Sequence, residues 1–345
     1  MSFLFLHPAS LLVIAHTLLV VGLGVRVIMC RPATGVALAW LLLITLAPFG
    51  GALLYLLIGE RRIGHRRVKE FAALRADSRK IAESAVDRGL TNVDWSRHSP
   101  QVRAMDRLGR ALCGVSTVCG SRYELFSKTP EVLAAMARDV DAAEQSVLME
   151  FYIWNEGGTA DEVLEAVIRA AQRGVYCCLL IDALGARPWW KGQQPQRLRD
   201  AGVHLRPALP VGLFRTIVGR TDLRLHRKIV VIDGQIAWTG SMNLVDPQFF
   251  KQNSGVGQWV DAMTRLQGSV VVPLAITLLS DWILETGESM SSLIEQAQLR
   301  VVQPDGPADI QVIPSGPGES KDAQLQMILA LVNAAEEEIV MTTPY

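Results

Sequence analysis

Apolar residues dominate the N-terminal part of the chain. Residues 1–25 contain no Lys, Arg, Asp or Glu, and a second uncharged run covers residues 33–59. Each run is long enough to cross a hydrocarbon core, which takes about 20 residues of helix. The first run extends past Arg26 through Val27-Ile28-Met29, so that only Cys30-Arg31-Pro32 separates the two runs. The pattern therefore predicts two transmembrane helices over residues 1–59, arranged as a hairpin with both ends on one side.

The charges that follow the hairpin predict its orientation. A cluster of basic residues after the second run favours the cytoplasmic side for that end, and it consists of Arg61, Arg62, Arg66, Arg67 and Lys69. A cleaved signal peptide is the competing interpretation, but it needs a basic start, and no Lys or Arg precedes Arg26. A re-entrant second segment stays open, because Pro48-Phe49-Gly50-Gly51 interrupts the second run.

Beyond the hairpin the pattern changes. Residues 60–110 are charged and Ala-rich, which predicts a juxtamembrane helical linker. Apolar runs such as Val147–Ile153 then alternate with amphipathic helical stretches. One of those stretches opens with Thr159-Ala-Asp-Glu162, which matches a capping box. Alternating strands and helices of this length predict an α/β sandwich over residues 111–300.

A segment of this domain is echoed near the end of the chain. The residues Leu, Val, Ala, Ala, Glu and Met recur in the same order and spacing in Leu133–Met149 and in Leu325–Met341. Both segments predict a helix followed by an apolar strand. Residues 301–345 are therefore expected to begin a second copy of the domain, which is cut short at Tyr345.

Composition narrows the function classes. The chain has 34 Lys and Arg against 34 Asp and Glu, so its formal net charge is zero. It lacks the basic field that is typical of nucleic-acid binding, and no nucleic-acid partner is expected. Its five Cys residues form no C-x-x-C pair and no spacing typical of zinc sites. We therefore expect reduced thiols and no metal.

The most specific pattern is H-x-K-x4-D-x6-G-S-x-N over residues 226–243. Its first part, Leu225–Ile232, is predicted to be a strand, on which His226 and Lys228 would share one face. An imidazole and an ammonium aimed at one point suit a phosphodiester. The imidazole can attack phosphorus, and the ammonium can neutralise the charge that grows on the phosphate oxygens.

The second part of the pattern is predicted to return to the same place. Asp233-Gly234 is typical of a tight hairpin turn, which would bring the G-S-x-N residues back beside His226. Ser and Asn can donate hydrogen bonds to phosphate, and Gly allows a close backbone approach. The predicted phosphate-binding residues are Gly240, Ser241 and Asn243.

The motif resembles the HKD signature of the phospholipase D superfamily, and its surroundings resemble bacterial cardiolipin synthases. The likeness is carried by Phe151-Tyr152-Ile153-Trp154, His226-Arg227-Lys228, Thr239–Pro247, Gly255–Trp259 and Met341–Tyr345. It implies an inner-membrane phosphatidyltransferase that joins two phosphatidylglycerol molecules into cardiolipin and releases glycerol, without cofactor. It also implies a phospholipase D-like domain in which His226, Lys228 and Asp233 are catalytic.

The same resemblance implies a second motif, which this chain does not contain. In the family two HKD motifs face each other, so that one His forms a phosphohistidine and the other acts as acid and base. Of the six His residues here, only His226 is followed two residues later by Lys. The chain is thus expected to carry one half-site. Three alternatives remain: a homodimer that supplies the second motif, a single-motif phosphodiesterase or nuclease that uses water, and an inactive membrane-anchored fragment.

Several residues around the motif have open roles. The carboxylate that orients His226 is expected to be Asp246 or Asp261, because Asn253-Ser254 occupies the region where single-motif relatives carry one. Two further groups of residues each have two interpretations. The first group could bind anionic headgroups or be ordinary loop charge, and the second could lie at a membrane interface or serve packing. They are the arginines Arg215, Arg220 and Arg224, and the segment Trp189-Trp190-Lys191.

Overall fold

The computed structural model of the chain describes residues 8–30, 34–47, 49–59, 74, 80–81, 83–210, 224–250, 255, 258–299, 302–315 and 322–342. Several residues discussed above lie outside that part of the chain, among them Arg31, Pro32, Pro48, Arg61, Arg62, Arg66, Arg67, Lys69, Arg215, Arg220, Asn253-Ser254 and Tyr345. The chain divides into two compact units. One contains the N-terminal helices and the other is a larger α/β unit.

The N-terminal unit contains one helix that is long and apolar enough to cross a membrane, among the residues described. The described helices of this unit are α1 (Pro8–Met29), α2 (Thr34–Leu46), α3 (Gly50–Leu54) and a π-helical turn (Tyr55–Gly59). Residues Ala9–Met29 of α1 meet the length and composition of a span. The second apolar run is broken at Phe49, whose φ of 59° is left-handed. Because a helix rises about 1.5 Å per residue, α2 alone falls short of a core about 30 Å thick. The second span stays a prediction.

The α/β unit is built on one mixed sheet of eight strands, ordered β4-β3-β2-β5-β6-β7-β1-β8. β2, β3 and β4 are parallel, and every other neighbouring pair is antiparallel. The strands are β1 (Val118–Phe126), β2 (Ser146–Phe151), β3 (Tyr176–Asp182), β4 (His204–Ala208), β5 (Ile229–Ile232), β6 (Ile236–Gly240), β7 (Met263–Gly268) and β8 (Ala308–Ile310).

Helices cover both faces of this sheet. The α-helices described in this unit are α4 (Pro100–Cys113), α5 (Thr129–Asp141), α6 (Ala160–Gln172), α7 (Arg187–Trp190), α8 (Gln194–Asp200), α9 (Val271–Thr286), α10 (Met290–Gln296) and α11 (Ala323–Asn333). Along β2, Val147 and Met149 belong to the core layer under α5 and α6, whereas Leu148 belongs to the layer under α9. Burial on both faces explains why Val147, Leu148 and Met149 are apolar in succession. The predicted α/β/α sandwich is confirmed.

The predicted capping box at the start of α6 is wrong. The Thr159 side chain makes no cap hydrogen bond. Instead, its Oγ1 and its backbone N both donate to Asp246 Oδ2 at 3.0 Å. A charged acceptor forms stronger hydrogen bonds than a neutral one, so the buried carboxylate attracts the threonine that would otherwise cap the helix.

The Asp233 side chain lies at the turn between β5 and β6. Asp233 and Gly234 both have positive φ, 53° and 65°, and Gln235 N donates to Ile232 O at 2.9 Å, as the predicted tight turn requires. The Asp233 carboxylate accepts the backbone N–H groups of Glu144, Gln145 and Ser146 at 2.8–3.0 Å. It therefore fastens the loop between α5 and β2 to the β5–β6 turn.

We expect Asp233→Ala to destabilise the fold by about 2 kcal/mol or more, because three backbone donors lose a charged acceptor. Asp233→Asn keeps an acceptor oxygen and tolerates a left-handed backbone, so it should cost less. Thermal unfolding of the purified chain in detergent measures both. A melting temperature that is equal in Asp233→Ala and the parent chain would contradict this role.

Candidate active site

The predicted strand over Leu225–Ile232 is shorter than expected. β5 begins at Ile229, which pairs with Glu150 of β2. Ahead of it, Leu225 N donates to Asp182 Oδ2 at 3.1 Å instead of to a neighbouring strand. This happens because β2 and β3 end at Phe151 and Asp182. The segment 225–228 thus runs past the carboxyl ends of the parallel strands, where α/β folds commonly bind ligands.

His226 and Lys228 come together around the ring of Tyr152, which follows β2. The His226 and Tyr152 ring centroids are 5.0 Å apart, with 53° between the planes. Lys228 Nζ lies 5.8 Å from the centroid of the Tyr152 ring and donates to the backbone O of His226 at 2.6 Å. His226 is exposed, whereas Lys228 is buried. An accessible imidazole therefore lies beside a buried ammonium.

The surroundings set the protonation states of this pair. Burial and the nearby Lys228 charge lower the pKa of His226 below its usual value, and Asp182 partly opposes them. Burial lowers the pKa of Lys228 to about 8, against the attraction of Asp261. Near neutral pH the imidazole is therefore mostly neutral and the ammonium mostly charged. These are the states that a nucleophile and an oxyanion partner need.

The G-S-x-N residues divide between the site and its support. Pairing of Ile229 with Thr239 places Gly240 at the same end of the β5–β6 hairpin as Lys228, and a Cβ on Gly240 would overlap the backbone O of Ala262. Exposed Ser241 donates through Oγ to Asp261 Oδ1 at 2.7 Å.

Asn243 is buried and has a different role. Its Oδ1 accepts the backbone N–H of Ile153 at 3.0 Å, which fastens the chain that carries Tyr152. Asp233 lies at the opposite end of β5 from Lys228, in the turn described above. Of the six residues predicted for the site, the structure thus groups His226, Lys228, Gly240 and Ser241, places Asn243 behind them and leaves Asp233 away from them.

Two residues at the site were missed by the sequence reasoning. The ring of Tyr152 lies close to both His226 and Lys228, although its motif was noted only as a likeness. Asp182 is fully buried, accepts the N–H groups of Leu184 and Gly185 through Oδ1 and holds Leu225 through Oδ2. A carboxylate at the end of an apolar strand was the available signal. It takes the backbone pairing to show that this strand ends beside His226.

Several of the residues with open roles lie in the described part of the chain. Asp261 is connected to the site because it accepts a hydrogen bond from Ser241. Asp246 instead accepts a hydrogen bond from Thr159 at the start of α6. Trp189 stacks on Trp154 at 4.8 Å, and Trp190 Nε1 donates to Asp182 O at 3.1 Å, so packing explains both indoles.

Arg224 also belongs to the protein interior, since it donates to Leu209 O at 3.2 Å and lies 3.8 Å from Asp182. Within the described part of the chain, no group of three His, Cys, Asp or Glu side chains could hold a metal ion.

Comparison with known proteins identifies the family of the chain. Residues 136–264 match a family model described as "Cardiolipin synthase, PLD-like domain", and residues 18–60 match one described as "Phospholipase_D-nuclease N-terminal". Cardiolipin synthase A of Erwinia tasmaniensis is 40% identical over 341 residues, covering 97% of this chain and 68% of the relative. Cardiolipin synthase A of Yersinia pseudotuberculosis is 38% identical over 333 residues, covering 96% and 68%.

Among solved structures, the phospholipase D family member Nuc from Salmonella typhimurium matches with a TM-score of 0.35 and 16% identity, covering 47% of this chain and 94% of Nuc. That match is too distant to add to the sequence relatives. On the 40% identity that extends over 97% of its length, the chain belongs to the cardiolipin synthase family of the phospholipase D superfamily.

Proposed function

We propose that the chain is a membrane-bound phosphatidyltransferase that condenses two phosphatidylglycerol molecules into cardiolipin and glycerol, with His226 forming a phosphohistidine. The observation that carries the proposal is the pairing of an accessible, largely neutral His226 with a buried, charged Lys228 around Tyr152. The Erwinia and Yersinia relatives are named as cardiolipin synthases, which supports the choice of lipid substrate.

The proposed reaction has two displacement steps at one phosphorus. A ring nitrogen of His226 attacks the phosphorus of phosphatidylglycerol, so that a P–N bond forms as the P–O bond to glycerol breaks. The departing glycerol oxygen takes a proton from a general acid. The terminal hydroxyl of a second phosphatidylglycerol then loses its proton to the same group and attacks phosphorus. The P–N bond breaks, which yields cardiolipin and restores the imidazole.

Lys228 is proposed to stabilise the charge on the non-bridging oxygens during both steps. A buried ammonium interacts more strongly with developing charge than one in water. Gly240 and Ser241 are proposed to complete the phosphate site, with Ser241 turning its hydroxyl from Asp261 to phosphate. Asn243 and Asp233 would act through the backbone they hold, since both accept main-chain N–H groups.

The general acid and base is proposed to be a second histidine from another HKD motif, supplied by a second copy of this chain in a homodimer. General acid–base help is typically worth 10²–10⁴-fold, so an isolated half-site should be slow. The proposed domain order is membrane helices over 1–59, a linker over 60–110, the catalytic domain over 111–300 and the start of a related domain over 301–345.

The proposed location of the chain in the cell is based on its N-terminal helices and on the charges that follow them. α1 has the length and composition of a membrane span. We propose that residues 1–59 cross the bacterial inner membrane twice and that the catalytic domain faces the cytoplasm, because the basic cluster after residue 60 favours that side.

We expect His226→Ala to abolish cardiolipin formation in cells that lack their own cardiolipin synthases. The reason is that no other His in the chain lies in an H-x-K motif. Lipid extraction and mass spectrometry measure the product, with exposed His204→Ala on β4 as the matched control. Cardiolipin made by His226→Ala would refute the proposal. Phosphatidic acid as the only product would point to hydrolysis, and no lipid change with the parent chain would point to an inactive protein.

The rate should fall as pH rises through about 8. Lys228, whose pKa is about 8, loses the charge that the phosphate oxygens need, while His226, whose pKa is lowered, stays neutral down to below about 6.5. A kcat/KM profile in detergent micelles measures this fall. In Lys228→Arg, the guanidinium keeps its charge, so the alkaline fall should disappear even if the overall rate is lower. An unchanged alkaline limb in that variant would assign the titration to another group.

Activity should depend on dimer formation. If the second His comes from another copy, the specific activity of the purified chain should decrease on dilution in parallel with the dimer fraction measured by light scattering. A specific activity that is constant over a range in which the dimer dissociates would contradict the homodimer.

A further inference from the structure

Arg227 lies between His226 and Lys228 in the sequence, but its side chain is on the opposite face of the segment 225–228 from theirs. Ile229 and Val231 belong to the core layer under α9, so Arg227, at the same parity, lies on that side. Its guanidinium forms an ion pair with Asp281 of α9 and donates through Nη2 to the backbone O of Ser315 at 2.9 Å. Arg227 thus connects the catalytic segment to α9 and to residues 302–315.

A buried carboxyl lies beneath this ion pair. Glu150 on β2 has no exposed surface, and neither of its carboxyl oxygens has a hydrogen-bond partner within the described residues. A fully buried carboxylate without a partner is costly, and such a group is normally protonated instead. Burial, the charge of Asp281 and the proximity of the Asp281 side chain raise the pKa of Glu150 well above its usual value, although Arg227 opposes them.

The charged neighbours of Glu150 can be named element by element. α9 contributes Asp281, and the segment before β5 contributes Arg227. The neighbouring strands place apolar residues beside it, because Leu180 of β3 and Ile229 of β5 are its register partners. Within the described residues, the cluster therefore consists of one arginine and two carboxyl groups. Of the two carboxyl groups, Asp281 forms an ion pair with the arginine and Glu150 does not.

We propose that Arg227 is a positioning residue that fixes the backbone between His226 and Lys228, and that Glu150 and Asp281 together balance it with one negative charge, Glu150 being the neutral acid. This inference rests on the proposed function, because it assigns the groups that hold that site. With one shared charge, Arg227 is neutralised and the positive field of Lys228 at the phosphate site is preserved. A second negative charge there would oppose phosphate binding.

The first test separates positioning from substrate contact. Because Arg227 faces away from His226, Arg227→Gln should lower kcat for cardiolipin formation about tenfold to a hundredfold, as expected for a misplaced catalytic group, and change KM less than about twofold. Arg227→Lys should recover part of the rate. Arg169→Gln, which removes a surface ion pair with Asp141, is the control. A raised KM with unchanged kcat, or no effect, would overturn the inference.

The second test concerns Glu150 and does not depend on activity. A carboxyl whose pKa is raised by folding binds more protons in the native state above about pH 4.5, so the stability of the parent chain falls as pH rises. Glu150→Gln removes this loss of stability. The melting temperature of Glu150→Gln minus that of the parent chain should therefore increase from pH 5 to pH 8. Glu165→Gln, at a surface ion pair with Arg197, should show no such trend. Parallel curves for Glu150→Gln and the parent chain would overturn the neutral-acid assignment.

A binding measurement keeps the two proposals apart. If the parent chain makes no cardiolipin, the proposed function fails, while positioning can still be decided with vanadate, which mimics the phosphoryl transition state, and with inorganic phosphate. Followed by the NMR signal of the His226 ring, Arg227→Gln should weaken vanadate binding about tenfold and phosphate binding less than about twofold. Equal effects on both ions, or none, would overturn positioning.

Discussion

The burial of one ammonium group constrains the rest of the active site. Lys228 is almost entirely removed from solvent, which is costly for a charged group unless polar partners surround it. Here the backbone O of His226, the ring of Tyr152 and the charge of Asp261 serve that purpose. They compensate only in part, since the pKa of Lys228 remains depressed. The same burial makes the ammonium effective toward a phosphate, because little water competes for its charge.

The segment around Lys228 must therefore be held firmly, and it is held from both sides. Asp182 accepts the N–H of Leu225 at one end. On the face away from the site, Arg227 is bound to Asp281. Because side chains alternate along a strand-like backbone, His226 and Lys228 lie on one side of the segment and Arg227 lies on the other, toward α9. Three consecutive polar residues can thus serve chemistry and support at once.

The sequence was most informative where a local pattern determines structure. The apolar periodicity predicted the α/β/α sandwich, and Asp233-Gly234 predicted the tight turn, because left-handed φ values at both positions suit these residues. The sequence was less informative about where helices and strands begin and end. Strand β5 starts four residues later than predicted at Leu225, because its partner strand ends first. Thr159 does not cap α6, because Asp246, 87 residues away in sequence, binds it.

The HKD-type spacing is enough to place an imidazole and an ammonium on one side of a segment, and the identity of these residues sets the chemistry that they can offer. Which residues surround the pair depends on the fold. The fold brings Tyr152 and Asp182 to the site, places Asp233 at the far end of β5 and buries the carboxyl of Glu150 near Arg227 and Asp281. The physical reason is that spacing along one strand sets which side chains share a face, whereas burial and long-range contacts depend on how distant strands pair and where each one ends.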